Sequence, residues 1–383
     1  MLRDQIAALA REAGFSKAGI APVPPPGEEP EYPDPSHFEA YFKSWIERGF
    51  AGDMEYLKRR DPAGRLLRSS LRIAFPWARS VIVCAANYNA EAPRSIEPAS
   101  PESGWIARYA WTGYEQTGNE QPAATGKPSD YHNVLLARLK KLEQSLQQQL
   151  GPFPSRCFVD TGPLVERVYA RYAGIGWIGK NTCILDQELG SWLFLGVILT
   201  GLELPSALPM LLPEDRCGSC TRCLDACPTD ALVAPYQMDA SLCISYLTIE
   251  KRGPIPEALR PQMGRQVFGC DICQDVCPWN RRAPLSGDAE LAVRSELVNP
   301  ALAWLAELDG ETFRRWFRRS PVQRAKLSGL LRNVAIAMGN SGLSTYVPRL
   351  REWAAGPDPV LAEAAQWALA RISTTETGTR DHL

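Results

Sequence analysis

Histidine is scarce in this chain, which also lacks a strong net charge and any long apolar run. Only His37, His132 and His382 occur among 383 residues, which argues against a histidine-rich zinc or non-haem iron site. The formal net charge is −1, so any nucleic-acid surface must be a local basic patch. No apolar stretch approaches the roughly 20 residues that span a bilayer.

The N-terminal segment also lacks the features of an export signal. It reads MLRDQIAALAREAGF, an amphipathic pattern without an apolar signal core or twin arginines. We therefore expect a cytoplasmic protein. In a reducing cytosol, the eleven cysteines predict metal ligation rather than a disulfide framework.

Two cysteine runs have the spacing of proteins that hold two 4Fe–4S clusters. Residues 217–228 read C-x2-C-x2-C-x3-C-P, and residues 270–278 read C-x2-C-x3-C-P. In such runs three thiolates hold one cluster and the fourth, next to proline, ligates the other. A pair of zinc sites is the alternative, but zinc does not explain C-x3-C-P in both halves. One cluster is predicted on Cys217, Cys220, Cys223 and Cys277, and the other on Cys227, Cys243, Cys270 and Cys273.

Helical and strand-like patterns alternate over residues 1–205. Helices are predicted over residues 1–20, 37–48, 131–150 and 164–173, and apolar strands over residues 80–88, 182–185 and 191–200. This alternation predicts a layered α/β domain. The three cysteines outside the cluster motifs, Cys84, Cys157 and Cys183, lie in apolar segments of this domain and are predicted to be core residues.

The rest of the chain predicts two further domains, giving an α+β multidomain fold. The cysteine-rich block at 206–285 predicts a bacterial ferredoxin-like domain with two clusters. From 286 to 383 the pattern is helical, and the pairing of 325–338 with 343–354 predicts HEAT-like repeats. Residues 91–103 and 112–129 are predicted to be long loops.

Residues 174–179 match the dinucleotide-binding pattern GxGxxG, but their context is inverted. A dinucleotide-binding loop follows a strand and begins a helix. Here the glycines follow the helix predicted at 164–173 and precede a strand. Gly174 is therefore interpreted as a helix C-cap.

Two acidic positions are candidates for catalysis. Asp130, in Asp130-Tyr-His132, is interpreted as the N-cap of the helix that follows, with a catalytic or ligand role as the less favoured alternative. Asp160 follows an apolar strand at a position where sites gather in α/β layers, and its pKa could be raised for proton donation. A helix N-cap role for Asp160 is equally compatible with the sequence.

A basic segment at 313–332 interleaves arginines with aromatic residues and contains no acid. This composition suits contacts with the RNA backbone and stacking on its bases. A solvated helix face is an equal alternative. The candidate contacts are Arg314, Arg315, Arg318, Arg319, Arg324 and Lys326.

Several of these motifs together closely resemble those of the epoxyqueuosine reductase family. They are Asp130-Tyr-His132, VDTGP at 159–163, GIGWIGKN at 174–181, the cysteine block and CISYLT at 243–248. The resemblance covers nearly the whole chain. It implies a cobalamin-dependent enzyme of the cytoplasm that reduces epoxyqueuosine to queuosine at the wobble position of tRNA.

The resemblance also implies roles for individual residues and partners. Asp160 would donate a proton, and the corrin would lie between the α/β domain and the cluster domain. An external low-potential donor of the ferredoxin or flavodoxin type would supply electrons to what we expect to be a monomer. The implied corrin contacts are Arg60, Ala107, Asp160, Ile184, Leu195, Ile198, Glu250 and Gly269.

Two other functions share part of this chemistry. A corrinoid reductive dehalogenase would also combine cobalamin with two clusters, but the missing twin arginines and the basic helical tail disfavour it. A ferredoxin-type electron carrier would need the clusters without the corrin.

Overall fold

The structure is a computed structural model that describes residues 2–23, 36–112, 129–205 and 213–380. Residues 113–128, which make up nearly all of the loop predicted at 112–129, lie outside the described ranges. None of the described helices is long and apolar enough to cross a membrane.

Eight strands and thirteen α-helices form the described part of the chain. The strands are β1 Lys17–Pro22, β2 Ser80–Asn87, β3 Trp105–Ile106, β4 Ser155–Phe158, β5 Trp177–Ile178, β6 Ile184–Leu185, β7 Leu193–Thr200 and β8 Gln266–Phe268. The helices are α1 Leu2–Glu12, α2 Ser36–Glu47, α3 Leu71–Ala74, α4 Tyr131–Leu150, α5 Glu166–Tyr172, α6 Arg222–Asp225, α7 Ile244–Ile249, α8 Ile272–Asp275, α9 Leu302–Ala306, α10 Gly310–Phe317, α11 Lys326–Ser341, α12 Val347–Ala354 and α13 Pro359–Arg380.

The N-terminal half is built on a four-stranded sheet in the order β1-β2-β7-β4. All three pairings are antiparallel. The two central strands, β2 and β7, are buried along their whole length, because each is an unbroken run of small and apolar residues with no polar face to turn to water. The sheet therefore needs a cover on both sides.

Helices cover the two faces of this sheet. Alternate strand residues such as Ile82 and Ile198 pack in a core with α1 and α4. Their neighbours Val83 and Val197 pack in a separate core with α5. This division follows from the two-residue repeat of side chains along a strand.

The helix predicted over residues 1–20, with Gly14 as its stop, is confirmed up to that glycine and wrong beyond it. Helix α1 ends at Glu12, and Gly14 turns the chain with φ 93°. Residues 17–22 form strand β1 along β2. A Cβ on Gly19 would lie 1.9 Å from the main-chain oxygen of Ala173, so only glycine allows β1 to pack this closely on the end of α5.

A third core joins the cysteine-rich region to the C-terminal helices and to parts of the N-terminal half. Strand β3 pairs in parallel with β8, and Ile106 and Trp111 share this core with residues of α7 and α11. The described packing thus crosses the domain limits predicted near residues 205 and 285.

Helix α11 is fixed to the cluster region by two fully buried polar residues. Arg332 donates hydrogen bonds to the main-chain oxygens of Leu247, Lys251 and Gly253. Asn333 donates to the main-chain oxygens of Thr248 and Val267, each at 2.9 Å. Arg332 is the last base of the basic segment at 313–332. Because it is buried, it cannot belong to a basic surface patch.

Candidate active site and cluster ligands

The eight motif cysteines form two groups of neighbours in the folded chain. Burial, together with the nearby Cys277 and Cys217, raises the pKa of Cys223 to about 11. Burial also raises the pKa of Cys277 to about 11, with contributions from Cys217, Cys183 and Cys220. Four thiols from two distant parts of the chain therefore face one another, because α6 and α8 pack together.

The second group contains the remaining four motif cysteines. Burial raises the pKa of Cys270, and Cys243 and Cys227 raise it further. A hydrogen bond with Cys183 is the largest influence that raises the pKa of Cys273, followed by burial and then by Cys270 and Cys243. Within the described residues no three Cys, His, Asp or Glu side chains converge as they do around a single metal ion; a cubane cluster keeps its ligands apart at its corners.

The three remaining cysteines do not share one role. Cys84 is fully buried in the sheet and Cys157 lies in the same core, as predicted. Cys183 was predicted to be a core residue, but it lines a cavity, and the nearby Asn181 donates a hydrogen bond to the main-chain oxygen of Cys273 at 3.3 Å. The reason is non-local: the segment that carries Cys183 packs against the second cysteine run.

The glycines at 174–179 allow close packing and do not form a phosphate-binding loop. Gly174 follows α5 with φ 74°, so the C-cap interpretation holds. A Cβ on Gly176 would lie 2.0 Å from the main-chain oxygen of Leu185. The glycine therefore lets β5 approach β6.

Asp160 has a left-handed backbone conformation, and its side chain is half exposed and hydrogen-bonded on one side. Its φ is 54°, a left-handed conformation that aspartate tolerates better than most residues. Its side chain is 50% exposed and accepts a hydrogen bond from the hydroxyl of Tyr131. It caps no helix, because the residue before α5 is Val165.

Asp130 and His132, at the start of α4, lie beside the contact between Tyr131 and Asp160. Asp130 accepts the main-chain N–H of His132 at 3.0 Å, which is the predicted N-cap bond. It also lies 2.6 Å from Nδ1 of His132, whose Nε2 is 3.8 Å from Oδ2 of Asp160. The cap and the histidine contact therefore coexist.

The surroundings of His132 and Tyr131 raise the pKa of both side chains. Burial lowers the pKa of His132, but the hydrogen bond and charge of Asp130 and the charge of Asp160 outweigh it and raise the pKa above 6.5. Burial and the charge of Asp160 raise the pKa of Tyr131 well above 10. Tyr131 thus stays a neutral donor.

Two cavities meet at Asp160. The first, of about 1000 Å³, is lined by Tyr131, His132 and Cys243 among others. The second, of about 840 Å³, has apolar walls that include Leu193, Leu195 and Ile184. Three residues line both cavities: Arg68, Asp160 and Met238.

Only some of the predicted corrin contacts line the two cavities at Asp160. Ile184 and Leu195 line the second cavity, and Glu250 lines the first. Ala107 and Gly269 touch each other near β3 and β8 but line neither cavity. Arg60 lines a separate surface depression, while Ile198 is buried on the face of the sheet toward α1 and α4.

Glu166 is a cavity residue that the sequence did not single out. It lines the second cavity, and its Oε1 is buried without a hydrogen-bond partner. Burial, with the charge of Asp160, raises its pKa to about 7. Glu166 is the first residue of α5, where an acidic residue is common, so no sequence pattern indicated a functional role for it.

The basic candidates lie on and beside α10. Arg314, Arg315, Arg318 and Arg319 are exposed. Arg324 lines the first cavity, forms an ion pair with Glu250 at 2.9 Å and stacks over the ring of Tyr56. Lys326 is exposed at the start of α11.

Comparisons with known protein families define the class of this chain. A family described as a 4Fe-4S double cluster binding domain matches residues 216–280, the part that contains both cysteine runs. The chain is therefore a two-cluster iron–sulfur protein. A second family, described as epoxyqueuosine reductase QueG, DUF1730, matches residues 68–161, which end just past Asp160.

Whole-chain relatives identify the family. The epoxyqueuosine reductase of Pseudomonas aeruginosa is 37% identical over 98% of this chain and 95% of its own length. That of Escherichia coli is 36% identical over 97% of this chain and 89% of its own. This chain belongs to the epoxyqueuosine reductase family and is an oxidoreductase.

Solved structures agree with this assignment. A crystal structure of epoxyqueuosine reductase with an epoxyqueuosine-modified tRNA-Tyr stem loop matches with a TM-score of 0.80 and 28% identity, covering 97% of this chain and 90% of that one. The enzyme from Streptococcus thermophilus matches with a TM-score of 0.80 and 27% identity over the same shares.

Proposed function

We propose that this protein reduces epoxyqueuosine to queuosine at the wobble position of tRNA, with Asp160 as the proton donor. The reaction consumes two electrons and two protons: both bonds from carbon to the epoxide oxygen break, a carbon–carbon double bond forms, and the oxygen leaves as water. The observation that carries the proposal is the position of Asp160, which lines both cavities. A group there can reach a nucleoside in one cavity and a redox cofactor in the other.

The two groups of thiols support the predicted cluster ligands. Cys217, Cys220, Cys223 and Cys277 would hold one cluster. Cys227, Cys243, Cys270 and Cys273 would hold the other. The second cluster would lie nearer the reaction, since Cys243 lines the first cavity and the segment that carries Cys183 in the wall of the second cavity is hydrogen-bonded through Asn181 to Cys273.

The second cavity fits a corrin better than the first. Its apolar walls suit the macrocycle, and the unpartnered Oε1 of Glu166 suits one of the amide N–H groups around the corrin rim. Ile184, Leu195 and Glu166 would hold cobalamin there. When bound, cobalamin supplies a cobalt centre that accumulates single electrons for two-electron chemistry.

The residues around Asp160 prepare it for proton transfer. The hydroxyl of Tyr131 holds one carboxylate oxygen and leaves the other free to face the substrate oxygen. Protonated His132, oriented by Asp130 with its Nε2 3.8 Å from Oδ2 of Asp160, would return a proton to Asp160 after each transfer through one intervening water. Tyr131 and His132 are adjacent on the first turn of α4, so one helix end positions both groups.

The proposed reaction also needs a surface that binds the tRNA and a protein that supplies electrons. The exposed arginines of α10 and the Arg324–Glu250 pair at the first cavity would meet the tRNA backbone. An external low-potential donor of the ferredoxin or flavodoxin type would reduce the first cluster. We further propose that the protein acts in the cytoplasm as a monomer.

Anaerobic reconstitution tests this function directly. The protein would be loaded with iron, sulfide and cobalamin, reduced, and given a tRNA anticodon stem-loop carrying epoxyqueuosine, with the nucleosides analysed after digestion. We expect queuosine only when both cobalamin and reductant are present. Equal turnover without cobalamin would overturn the cofactor assignment, and no turnover with any loading would overturn the substrate.

A further inference from the structure

Lys180 belongs to the N-terminal half of the chain, but its side chain reaches the first cysteine run. It follows β5 within the glycine-rich motif at 174–181. Its Nζ donates hydrogen bonds to the main-chain oxygens of Gly218 at 2.6 Å and Cys220 at 3.0 Å. Gly218 lies between Cys217 and Cys220, two of the ligands proposed for the first cluster. The ammonium group is therefore held against the loop that would bind this cluster.

The main chain around Lys180 is fixed to the cysteine-rich region on two sides. The main-chain oxygen of Lys180 accepts the N–H of Tyr236 at 3.1 Å. The next residue, Asn181, donates to the main-chain oxygen of Cys273 at 3.3 Å. The long side chain of Lys180 thus starts from an anchored position and is anchored again at its end.

The charge of Lys180 is buried without a carboxylate partner. The residue is 9% exposed, and among the described residues it forms no ion pair with an Asp or Glu. The acids of the same loop have other partners: Asp215 accepts the main-chain N–H of Cys217 at 2.8 Å, and Asp225 accepts the hydroxyl of Thr221 at 2.8 Å. Lysine is rarely buried unless its charge is paired, because hydrogen bonds to neutral oxygens offset only part of the lost hydration. An anion is therefore expected next to this loop.

We propose that Lys180 is the buried counter-charge of the first cluster and raises its reduction potential, so that this cluster accepts electrons from the external donor. The inference rests on the ligand assignment proposed above. Lys180 touches no substrate in this role. It acts as a positioning residue for the loop and as the positive charge nearest to it.

The direction of the effect follows from charge. A 4Fe–4S cluster with four thiolate ligands is an anion that gains one further negative charge on reduction. A positive charge beside it stabilises the reduced form more than the oxidised form. Because the site is buried, water and salt screen this attraction much less than they would at the surface. Loss of the Lys180 charge should therefore make the cluster harder to reduce.

Three variants of Lys180 test this on the anaerobic holoenzyme, by redox titration followed with electron paramagnetic resonance. Lys180→Gln keeps a hydrogen-bond donor and removes the charge, and Lys180→Met removes both. Each should lower one of the two cluster midpoints, with about a tenfold smaller reduced-to-oxidised ratio at the wild-type midpoint, which is 59 mV for a one-electron couple. Lys180→Arg keeps the charge and should stay near the wild-type midpoint.

Arg222 provides the matched control, since it carries the same charge in the same run but faces water. It is the first residue of α6, between Cys220 and Cys223, and is exposed. Arg222→Gln removes a positive charge that solvent already screens, so it should shift the midpoint much less than Lys180→Gln. Equal shifts in the two variants would show that net charge, not the buried ammonium group, sets the potential, and would overturn the inference.

The remaining outcomes also decide the matter. Unchanged midpoints in both neutral variants, or equal shifts of both clusters, would overturn the inference. A midpoint lowered as much by Lys180→Arg as by Lys180→Met would show that packing, not charge, is responsible. Loss of iron from all three variants would mean that Lys180 only holds the loop. Wild-type protein with fewer than two clusters would overturn the ligand assignment and this inference together. Epoxide reduction is not a readout, so failure of the proposed substrate leaves these results valid.

Discussion

At the scale of single residues, Asp160 combines features that a proton donor needs. Its left-handed backbone turns the side chain out of the strand direction, and the Tyr131 hydroxyl fixes the carboxylate. Because the side chain remains half exposed, protons can be replaced after turnover. Residues held in sparsely populated conformations often lie at functional sites.

The variant Asp160→Asn removes the titratable proton of residue 160 and keeps the shape of its side chain. Asparagine also tolerates the left-handed conformation, so the fold and the hydrogen bond geometry should persist. We expect single-turnover epoxide reduction to fall by about 100-fold or more, with tRNA affinity nearly unchanged. Turnover equal to wild type would exclude Asp160 as the donor.

His132 should leave a signature in the pH dependence of the rate. Its pKa is raised above 6.5, so the charged form persists to a higher pH and is lost as the pH rises through that pKa. Wild-type activity should fall across this range. His132→Gln should be slower by about 10- to 100-fold and should lack that fall.

The matched control for His132 is its exposed helix neighbour. Asn133→Gln changes the same turn of α4 without touching Asp130 or Asp160, and its pH profile should match wild type. A His132→Gln profile that kept the wild-type fall would assign the titration to another group.

At the scale of elements, short segments gain their structure from partners far away in sequence. Strands β3, β5, β6 and β8 have only two or three residues each, too few for a periodic pattern. The long elements α4, β2 and β7 were predicted nearly to their ends, since their apolar repeats are long and unambiguous. Strand β1 was missed because its six residues extend the pattern of α1 and become a strand only against β2.

Helix α11 offers an element-scale test of stability. Asn333→Ala would leave two buried main-chain oxygens and part of the Arg332 guanidinium without partners. We expect a loss of about 3 kcal/mol in the free energy of unfolding, seen as a lower midpoint in thermal unfolding.

The control for this prediction lies on the same helix. Asn340 also donates to two main-chain oxygens, those of Arg260 and Gly264, but it is only partly buried. Water can replace its bonds, so Asn340→Ala should cost clearly less. An equal loss in both variants would show that burial does not set the cost.

At the scale of the whole molecule, distant parts of the chain are joined by buried charges as well as by shared cores. Arg138 of α4 forms ion pairs with Asp288 and Glu290, each at 2.6 Å, and so fixes the segment after the cysteine block onto the sheet layers. The first cavity at Asp160 has walls from before, within and after the cysteine block, so its shape depends on how these parts of the chain are joined.

The exposed arginines on α10 and just after it lead to a prediction about the complex of the protein with tRNA. Replacing Arg314, Arg315, Arg318 and Arg319 with glutamine should weaken tRNA binding and reduce the slope of log affinity against log salt by up to about 3, through fewer released counterions. Binding would be measured at several salt concentrations by fluorescence anisotropy.

A matched control removes the same charge from α1 and α4, which pack in a different core from α10. The exposed Arg3, Arg11, Lys140 and Lys141 on α1 and α4 would be replaced in the same way, and the salt slope should then stay near wild type. An unaltered slope in the α10 variant would assign those arginines to a solvated helix face.

The sequence alone determined the chemistry of this protein, because ligand spacing is local. Eight cysteines with fixed separations and prolines predicted two clusters, and the family resemblance of the motif around Asp160 predicted a proton donor. Only the tertiary structure brought Asp160 between two cavities, placed Asn181 against Cys273 and buried Arg332. Each of these depends on contacts between segments roughly a hundred residues apart, and local patterns carry no information about which distant surface a side chain will meet.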